Sequence, residues 1–209
     1  MIQGTVRAQK NGSLDGLESV CVSNGREVVQ TDKDGVYRLP GQPEDRFVFV
    51  TVPAGYEASG RFYADLKRSE SYDFELLEDP KSRDSEFSFV QVTDIHMSLE
   101  GRSVTADLVA DLAEIHRQAG DQARFVVATG DLTNRGTQEE FEAYKEAVKT
   151  SRLPIYHCIG NHDDNDPDAH GDYYMDALGP TYYTFDYGPV HFVAYDGVGH
   201  EWRKPDHQP

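Results

Sequence analysis

The sequence predicts an α/β domain preceded by a small all-β sandwich. Up to about residue 79, short apolar runs are separated by turn residues with almost no helical periodicity, as is typical of a β-sandwich. A polar, proline-containing segment follows, and beyond it strand patterns alternate with helix patterns. A length of 209 residues suits one small and one medium domain. We therefore expect a sandwich over 1–79, an exposed linker over 80–85 and an α/β domain over 86–209.

Amino-acid composition and net charge limit the classes of molecule that the protein is expected to bind. The net charge of −17 argues against binding to nucleic acid, because a polyanion would be repelled. No apolar run approaches the roughly 20 residues that cross a bilayer, so no membrane span is expected. The start at Met1 lacks the basic and apolar regions of a signal peptide. Cys21 and Cys158 fall in different predicted domains, so a disulfide is not expected. Oligomeric state and compartment stay open.

The first region contains six predicted strands joined by turns. Asn24-Gly25 and Asp34-Gly35 predict hairpin turns, because these residue types tolerate positive φ. Asp32 and Asp34 could alternatively form a calcium loop, but the Glu that an EF-hand needs near the loop end is missing, so a turn is favoured. The predicted strands lie at 4–8, 20–23, 28–31, 36–39, 47–52 and 72–77.

In the second region strand patterns alternate with helix patterns, as is typical of an α/β layer fold. Apolar residues at helical spacing from Val104 onward predict a helix that ends at Gly120. Thr137, followed three positions later by Glu140, predicts a capping box at the start of a second helix. The predicted strands lie at 87–92, 125–128 and 155–159, with a further pair at 182–187 and 190–195.

Polar side chains follow each of the three βα-type strands. The clusters are Asp94-Ile95-His96, Gly130-Asp131 and Gly160-Asn161-His162-Asp163. Binding crevices in α/β sheets form at the carboxyl ends of the strands. The intervals from His96 to Asp131 and from Asp131 to Asn161, 35 and 30 residues, each leave room for a helix and a strand. Adjacent parallel strands would therefore bring the clusters together.

These residue types suit a centre of two metal ions. Carboxylates, imidazole and an amide oxygen form a mixed nitrogen and oxygen set that fits manganese, iron or zinc. Asp94 and His96 are two positions apart, so in extended backbone their side chains can share one ion. Asp131 is the natural bridge, because carboxylate oxygens have lone pairs for two metals. Gly130 and Gly160 allow tight turns that hold the ligands close.

The order DIH, GDLTNRG and GNHD, each after a strand, resembles the first three blocks of the calcineurin-like metallophosphoesterase family. This likeness spans about residues 87 to 196. The arrangement GLESVCVSNGREVVQTDKDGVYRL resembles the N-terminal domain found ahead of some bacterial members, itself similar to the carboxypeptidase regulatory-like sandwich. The resemblance implies a layered β-sheet sandwich flanked by helices, present here in incomplete form.

The resemblance also implies a role for each residue. Asp94, His96 and Asp131 would hold one metal ion, and Asp131 and Asn161 would hold a second, both divalent or trivalent. His162 would lie near the departing oxygen as a general acid or as a hydrogen-bond donor. The implied reaction is hydrolysis of a small-molecule phosphate monoester or diester by a metal-bridging hydroxide.

Three further expectations concern neighbouring residues. Asp94 or Asp163 is a candidate partner that orients the imidazole of His162. The acidic run that starts at Asp163 and ends at Asp168 is expected to be a solvated loop. Arg135 resembles the arginine that contacts phosphate in the protein phosphatase branch of the family, but a surface or turn role is favoured for it.

The later part of the family pattern does not appear. A further metal-binding His and a Gly-His-x-His block are expected after GNHD, and His170, His200 and His207 do not fit them. We therefore expect a truncated form with weak metal binding and little activity. The alternative is an inactive binding or surface module that uses the β-sandwich. Such a sandwich ahead of a catalytic domain is reminiscent of exported bacterial enzymes.

Overall fold

The computed structural model describes residues 1–10, 12–69, 71–100, 104–120, 122–164 and 171–198. The chain divides into two units. One comprises Met1–Glu86 with Tyr182–Val193, and the other comprises Phe87–Thr181 with the chain from Ala194 onward. Within the described ranges, none of the helices is both long enough and apolar enough to cross a membrane.

The first unit is built from two β-sheets. Its strands are β1 (Ile2–Lys10), β2 (Ser13–Gly16), β3 (Cys21–Ser23), β4 (Val28–Gln30), β5 (Val36–Leu39), β6 (Phe47–Val50), β7 (Tyr56–Ala58), β8 (Tyr63–Asp65) and β9 (Phe74–Glu78). One sheet has the order β2-β1-β9-β7, with β5 also paired to β1, and the other has the order β4-β3-β6-β8. Both sheets contribute to one core that includes Val6, Val22 and Leu76. The prediction of a β-rich first region is confirmed.

All six predicted strands of the first region are present. The described part of this unit contains three further strands that the sequence did not predict. The missed strands β2, β7 and β8 have three or four residues each, and every residue of β2 is exposed. Short strands with little buried apolar surface lack the alternation on which the prediction depends. The pairing of β1 with β9 is parallel, whereas β1 pairs with β2 and β5 in antiparallel fashion.

The two predicted hairpin turns have different outcomes. Asn24-Gly25 joins the antiparallel strands β3 and β4, and Gly25 has a φ of +88°. Gly35 also has positive φ, but its turn leads from β4 to β5, which belong to different sheets. The hairpin prediction was therefore wrong at the second position. Asp32 Oδ1 accepts the backbone N–H of Asp34 at 3.0 Å, which fits the favoured turn role rather than a calcium loop.

The second unit contains a parallel sheet with helices. Its strands are β10 (Ser88–Val92), β11 (Ala123–Thr129) and β12 (Ile155–Cys158), and its helices are α1 (Val104–Ala119), α2 (Gln138–Val148) and α3 (Asp172–Leu178). The sheet order is β10-β11-β12, and both pairings are parallel. The carboxyl ends of the three strands therefore meet at one edge of the sheet. The three predicted strands and two predicted helices are confirmed, whereas α3 was not predicted.

The sequence signals for the helix ends are visible in the structure. Gly120 follows α1 with a φ of +53° and donates its N–H to the carbonyl of His116 at 2.9 Å. Thr137 caps α2, since its side chain accepts the N–H of Glu140 at 3.3 Å. Leu112 of α1 and Phe141 of α2 are buried in the core of this unit. The amphipathic pattern thus places the apolar faces of both helices in one core.

The segment expected to be an exposed linker is folded onto the first unit. Pro80–Arg83 forms a 3₁₀ helix, and Ser82 within it is only 2% exposed. The Ser82 hydroxyl accepts the N–H of Gly55 at 2.7 Å, and its carbonyl accepts the N–H of Gly188 at 2.7 Å. The polar, charged composition of this segment predicted exposure, but Ser82 is buried and accepts hydrogen bonds from two backbone N–H groups.

The last two predicted strands pair with each other as expected. They are β13 (Tyr183–Tyr187) and β14 (Val190–Ala194). The sequence placed them in the second region, but their contacts lie in the first unit. Thr184 and Thr51 share a hydrogen bond of 2.7 Å between their hydroxyls, and Asp186 donates its N–H to the carbonyl of Val52 at 2.9 Å.

Candidate metal centre

The loops after β10 and β11 remain paired beyond the ends of their strands. Asp94 donates its N–H to the carbonyl of Gly130 at 3.2 Å, and His96 donates to the carbonyl of Asp131 at 2.9 Å. Met97, the next residue, is completely buried and forms an isolated bridge in the same parallel sense. The two loops that carry Asp94, His96 and Asp131 are therefore fixed to each other by backbone hydrogen bonds.

Three of the predicted ligands have left-handed backbone conformations. Asp94, His96 and Asp131 have φ values of +55°, +49° and +51°. Among the described non-glycine residues, only Ser19 shares this property. Such a conformation costs on the order of 1 kcal/mol or more for each residue, and it persists where surrounding structure enforces it. The strain is thus concentrated at the edge of the sheet where the predicted ligands lie.

The side chains of these loops converge. His96, Asp131 and His162 each offer one ligand atom, and these atoms lie within 4.8 Å of one another. Asp94 Oδ1 is 3.8 Å from His96 Nε2, and Asp131 Oδ2 is 4.0 Å from the same nitrogen. The rings of His96 and His162 meet edge to face, with centroids 4.4 Å apart. Small side-chain rotations would bring such donors onto a common ion, and a mixed nitrogen and oxygen set suits Mn, Fe or Zn.

Glycines allow this close approach. A Cβ atom at Gly160 would lie 2.2 Å from both the backbone nitrogen and Oδ1 of Asp131, a distance that no side chain could occupy. Gly130 has a φ of +98°, and a Cβ there would lie 3.0 Å from the Cα of Gly160. His162 donates its backbone N–H to Asp131 Oδ1 at 3.1 Å. The carboxylate of Asp131 is therefore held between the second and third loops.

The imidazole of His162 is oriented by a backbone carbonyl. His162 Nδ1 lies 2.7 Å from the carbonyl oxygen of Asn134. A carbonyl can only accept, so Nδ1 carries a proton in this arrangement and Nε2 remains for another partner. The sequence suggested Asp94 or Asp163 as the orienting group, and that expectation was wrong. A backbone oxygen leaves no residue-type signal, so sequence patterns could not have identified Asn134.

The buried carboxylate of Asp163 joins the second and third loops. The expectation of a solvated loop was therefore wrong at this residue. It is only 1% exposed, and its carboxylate accepts the N–H groups of Leu132, Thr133 and Gly160 at 2.8 to 3.1 Å. It also accepts the hydroxyl of Thr133 at 2.9 Å. Burial raises the pKa of Asp163, and these hydrogen bonds oppose that rise. Asp164 is buried as well, at 2% exposure. Asn165, Asp166 and Asp168 lie outside the described residues.

The remaining predicted residues lie around this centre. Asn161 is exposed and stands between Gly160 and His162 on the third loop. The guanidinium of Arg135 forms two contacts of 3.1 Å with the carboxylate of Glu100, and both side chains are mostly exposed. A surface ion pair of this kind agrees with the favoured turn or surface role. His170, His200 and His207 lie outside the described residues.

Two family models match the chain, and two known proteins resemble parts of it. Residues 1–79 match the family described as the N terminal of Calcineurin-like phosphoesterase, and residues 87–205 match Calcineurin-like phosphoesterase. A probable glycerophosphodiester phosphodiesterase GpdQ of Arcobacter nitrofigilis is 33% identical over 84 residues, which cover 35% of this chain and 29% of that protein. The purple acid phosphatase PPD1 from yellow lupin seeds aligns with 91% of this chain and 41% of its own, at 14% identity and a TM-score of 0.42.

Proposed function

Because the chain belongs to the calcineurin-like phosphoesterases, we propose that it carries residues for metal-dependent hydrolysis of phosphate esters. One observation carries the proposal. Donor atoms of the proposed ligands His96 and Asp131 and of the proposed acid His162 lie within 4.8 Å of one another at the edge where three parallel strands end. The left-handed backbone of His96 and Asp131 supports it, because strain of this kind clusters at functional sites.

We assign the ligands of two metal ions to the three loops. Asp94, His96 and Asp131 would hold one ion, and Asp131 and Asn161 would contribute to a second. When bound, divalent or trivalent ions such as Mn, Fe or Zn acidify a coordinated water and neutralise charge on the phosphoryl oxygens. Asp131 suits the bridging position because the backbone N–H of His162 and the close approach of Gly160 fix its carboxylate between two loops.

His162 acts on the leaving group in this proposal. Its Nδ1 proton is donated to the carbonyl of Asn134, so in the imidazolium form the second proton lies on Nε2 and can pass to the departing oxygen, which leaves the neutral Nδ1–H ring. The edge-to-face contact with His96 places this ring beside the proposed ligands. A general acid next to the ions would assist departure of an alkoxide.

The proposed substrate is a small-molecule phosphate ester. The curated relative is named as a glycerophosphodiester phosphodiesterase, which favours a diester, and a monoester remains the alternative. The net charge of −17 would repel a phosphate ester unless bound cations reversed the local field. The proposal therefore requires that metal binding precede substrate binding.

We further propose that the two domains of the chain have different functions. Residues 86–209 contain the hydrolytic site, residues 1–79 form an accessory domain, and 80–85 join them. The support is the separate family match of each part. No residue of the proposed site lies before Asp94.

The test is turnover of an aryl phosphate monoester and an aryl phosphate diester by the full-length protein in the presence of Mn²⁺. The proposal predicts hydrolysis that falls by at least about 100-fold in Asp131→Asn, because a neutral amide replaces the carboxylate that both ions would share. Asp111→Asn, an exposed position on α1, is the matched control and should retain activity. Absence of turnover, or equal turnover in both variants, would overturn the proposal and favour the binding-module alternative.

A further inference from the structure

One peptide group connects helix α2 to the imidazole of His162. The carbonyl oxygen of Asn134 lies 2.7 Å from His162 Nδ1, and the N–H of Arg135 donates to Glu140 Oε2 at 2.8 Å. The carbonyl of Asn134 and the N–H of Arg135 belong to the same planar peptide unit. Glu140 and His162 therefore bind opposite sides of a single rigid group.

Helix capping alone does not account for Glu140. In a capping box, the Glu side chain returns to the backbone N–H of the cap residue, which here is Thr137. The Thr137 hydroxyl does accept the N–H of Glu140 at 3.3 Å, but the Glu140 carboxylate reaches past Thr137 to Arg135. Glu140 is only 4% exposed, and burial of a carboxylate is costly unless hydrogen bonds compensate it.

The peptide group is held on several sides. Asn134 donates its own N–H to the carbonyl of Met97 at 2.9 Å, which fixes it to the loop that carries His96. The side chain of Arg135 contacts the carboxylate of Glu100 at 3.1 Å. These contacts anchor the residues on either side of the peptide, and rotation of the peptide plane itself would break the hydrogen bonds to His162 and Glu140.

We propose that Glu140 is a positioning residue for His162 and acts through the peptide group between Asn134 and Arg135. The inference rests on the proposed function in taking His162 as the group that acts on the leaving oxygen. The carboxylate at one side of the peptide polarises it and strengthens the acceptor at the other side. The Nδ1–H tautomer of His162 is thereby favoured, so Nε2 is the nitrogen that takes up a second proton and can pass it to the departing oxygen.

The direct test is ¹⁵N NMR of the His162 ring without added metal, at a pH where the imidazole is neutral. Glu140→Gln keeps an acceptor oxygen, whereas Glu140→Met has similar length and no comparable acceptor. Glu139→Met, at the exposed neighbouring position, is the control. We expect Nδ1 to be protonated in wild type, in Glu140→Gln and in the control, and the Nε2–H form to become substantial in Glu140→Met. An unchanged tautomer in Glu140→Met would overturn the proposal.

If Glu140→Met does not fold, the wild-type protein alone still tests the proposal. The proposal requires a protonated Nδ1 in wild type whose exchange with solvent is slowed by the Asn134 carbonyl. A His162 ring protonated mainly on Nε2 would contradict it without any variant. These NMR outcomes need no turnover, so a failure of the proposed hydrolysis can be distinguished from a failure of this inference.

Steady-state kinetics provide the second measurement. In the full-length protein with an aryl phosphate diester and Mn²⁺, Glu140→Met should lower kcat by about 10- to 100-fold with little change in KM, because the ring is misdirected while the substrate still binds. Glu140→Gln should restore kcat to within a few fold of wild type. Equal losses in the Gln and Met variants, or a loss confined to KM, would overturn the positioning role.

Discussion

Gly160 and Asp131 approach so closely that no side chain could stand at Gly160. A Cβ atom there would lie 2.2 Å from Asp131 Oδ1 and 2.2 Å from the backbone nitrogen of Asp131. The approach brings the third loop against the carboxylate that we assign as the metal bridge. Gly160 therefore affects the site although it has no side chain to bind an ion.

We predict that Gly160→Ala weakens metal binding by at least about 10-fold, because Asp131 must move to relieve the overlap. Mn²⁺ affinity measured by calorimetry checks this expectation. Gly60→Ala is the matched control, since nothing lies within 4 Å of a Cβ at that position. Equal affinities in the two variants would show that the close contact does not position the bridge.

Asp163 should be important for stability. Replacement by Asn places an amide among four donors from Leu132, Thr133 and Gly160, so at least one buried donor loses its acceptor. We expect the free energy of unfolding to fall by about 3 kcal/mol. Urea denaturation measures it, with Asp111→Asn expected to change stability by less than about 0.5 kcal/mol. If Asp163→Asn left the free energy of unfolding almost unchanged, the structural role assigned to this carboxylate would be wrong.

His157 should make stability depend on pH. Burial lowers the pKa of His157 to about 4, whereas an unfolded His titrates near 6.5. As pH falls from 6.5 towards 4, the unfolded chain binds a proton that the folded chain does not. Stability is therefore lost across this window and the loss levels off below pH 4.

The contribution of His157 between pH 7 and pH 5 is about 2 kcal/mol. Urea denaturation at the two pH values should show a difference smaller by about this amount in His157→Gln than in wild type. NMR should show that the His157 imidazole stays neutral down to about pH 5 in the folded protein. An imidazole that titrates near 6.5 would refute the assigned burial effect.

The sequence predicted the architecture of the second unit because its signals are local. Strand runs, Gly120 and the Thr137 cap each depend on neighbours within a few residues, and the order of parallel strands follows from their spacing. The positions of His96 and Asp131 followed from the same reasoning. Local patterns thus identified which strand ends carry the candidate site.

Other features depend on contacts between residues distant in sequence. The carboxylate of Asp163 looks like one of several exposed acids, yet it accepts donors about 30 residues away. Asn134 orients His162 through its carbonyl, which every residue type possesses. The strand pair β13 and β14 has the alternation of any hairpin, and alternation does not specify the unit on which it packs. These features required the structure.

The most direct test of the central claim is a Mn²⁺ titration of the protein followed by NMR of its histidine rings. Paramagnetic broadening reports where the ion binds, even when binding is weak. The account predicts that His96 and His162 broaden first, well before His157 and His191, and that Asp131→Asn removes this selectivity. With a net charge of −17, adventitious binding to surface carboxylates is the competing outcome. Broadening that begins at His157 or His191, or that is unchanged in Asp131→Asn, would contradict a metal centre at the ends of these strands.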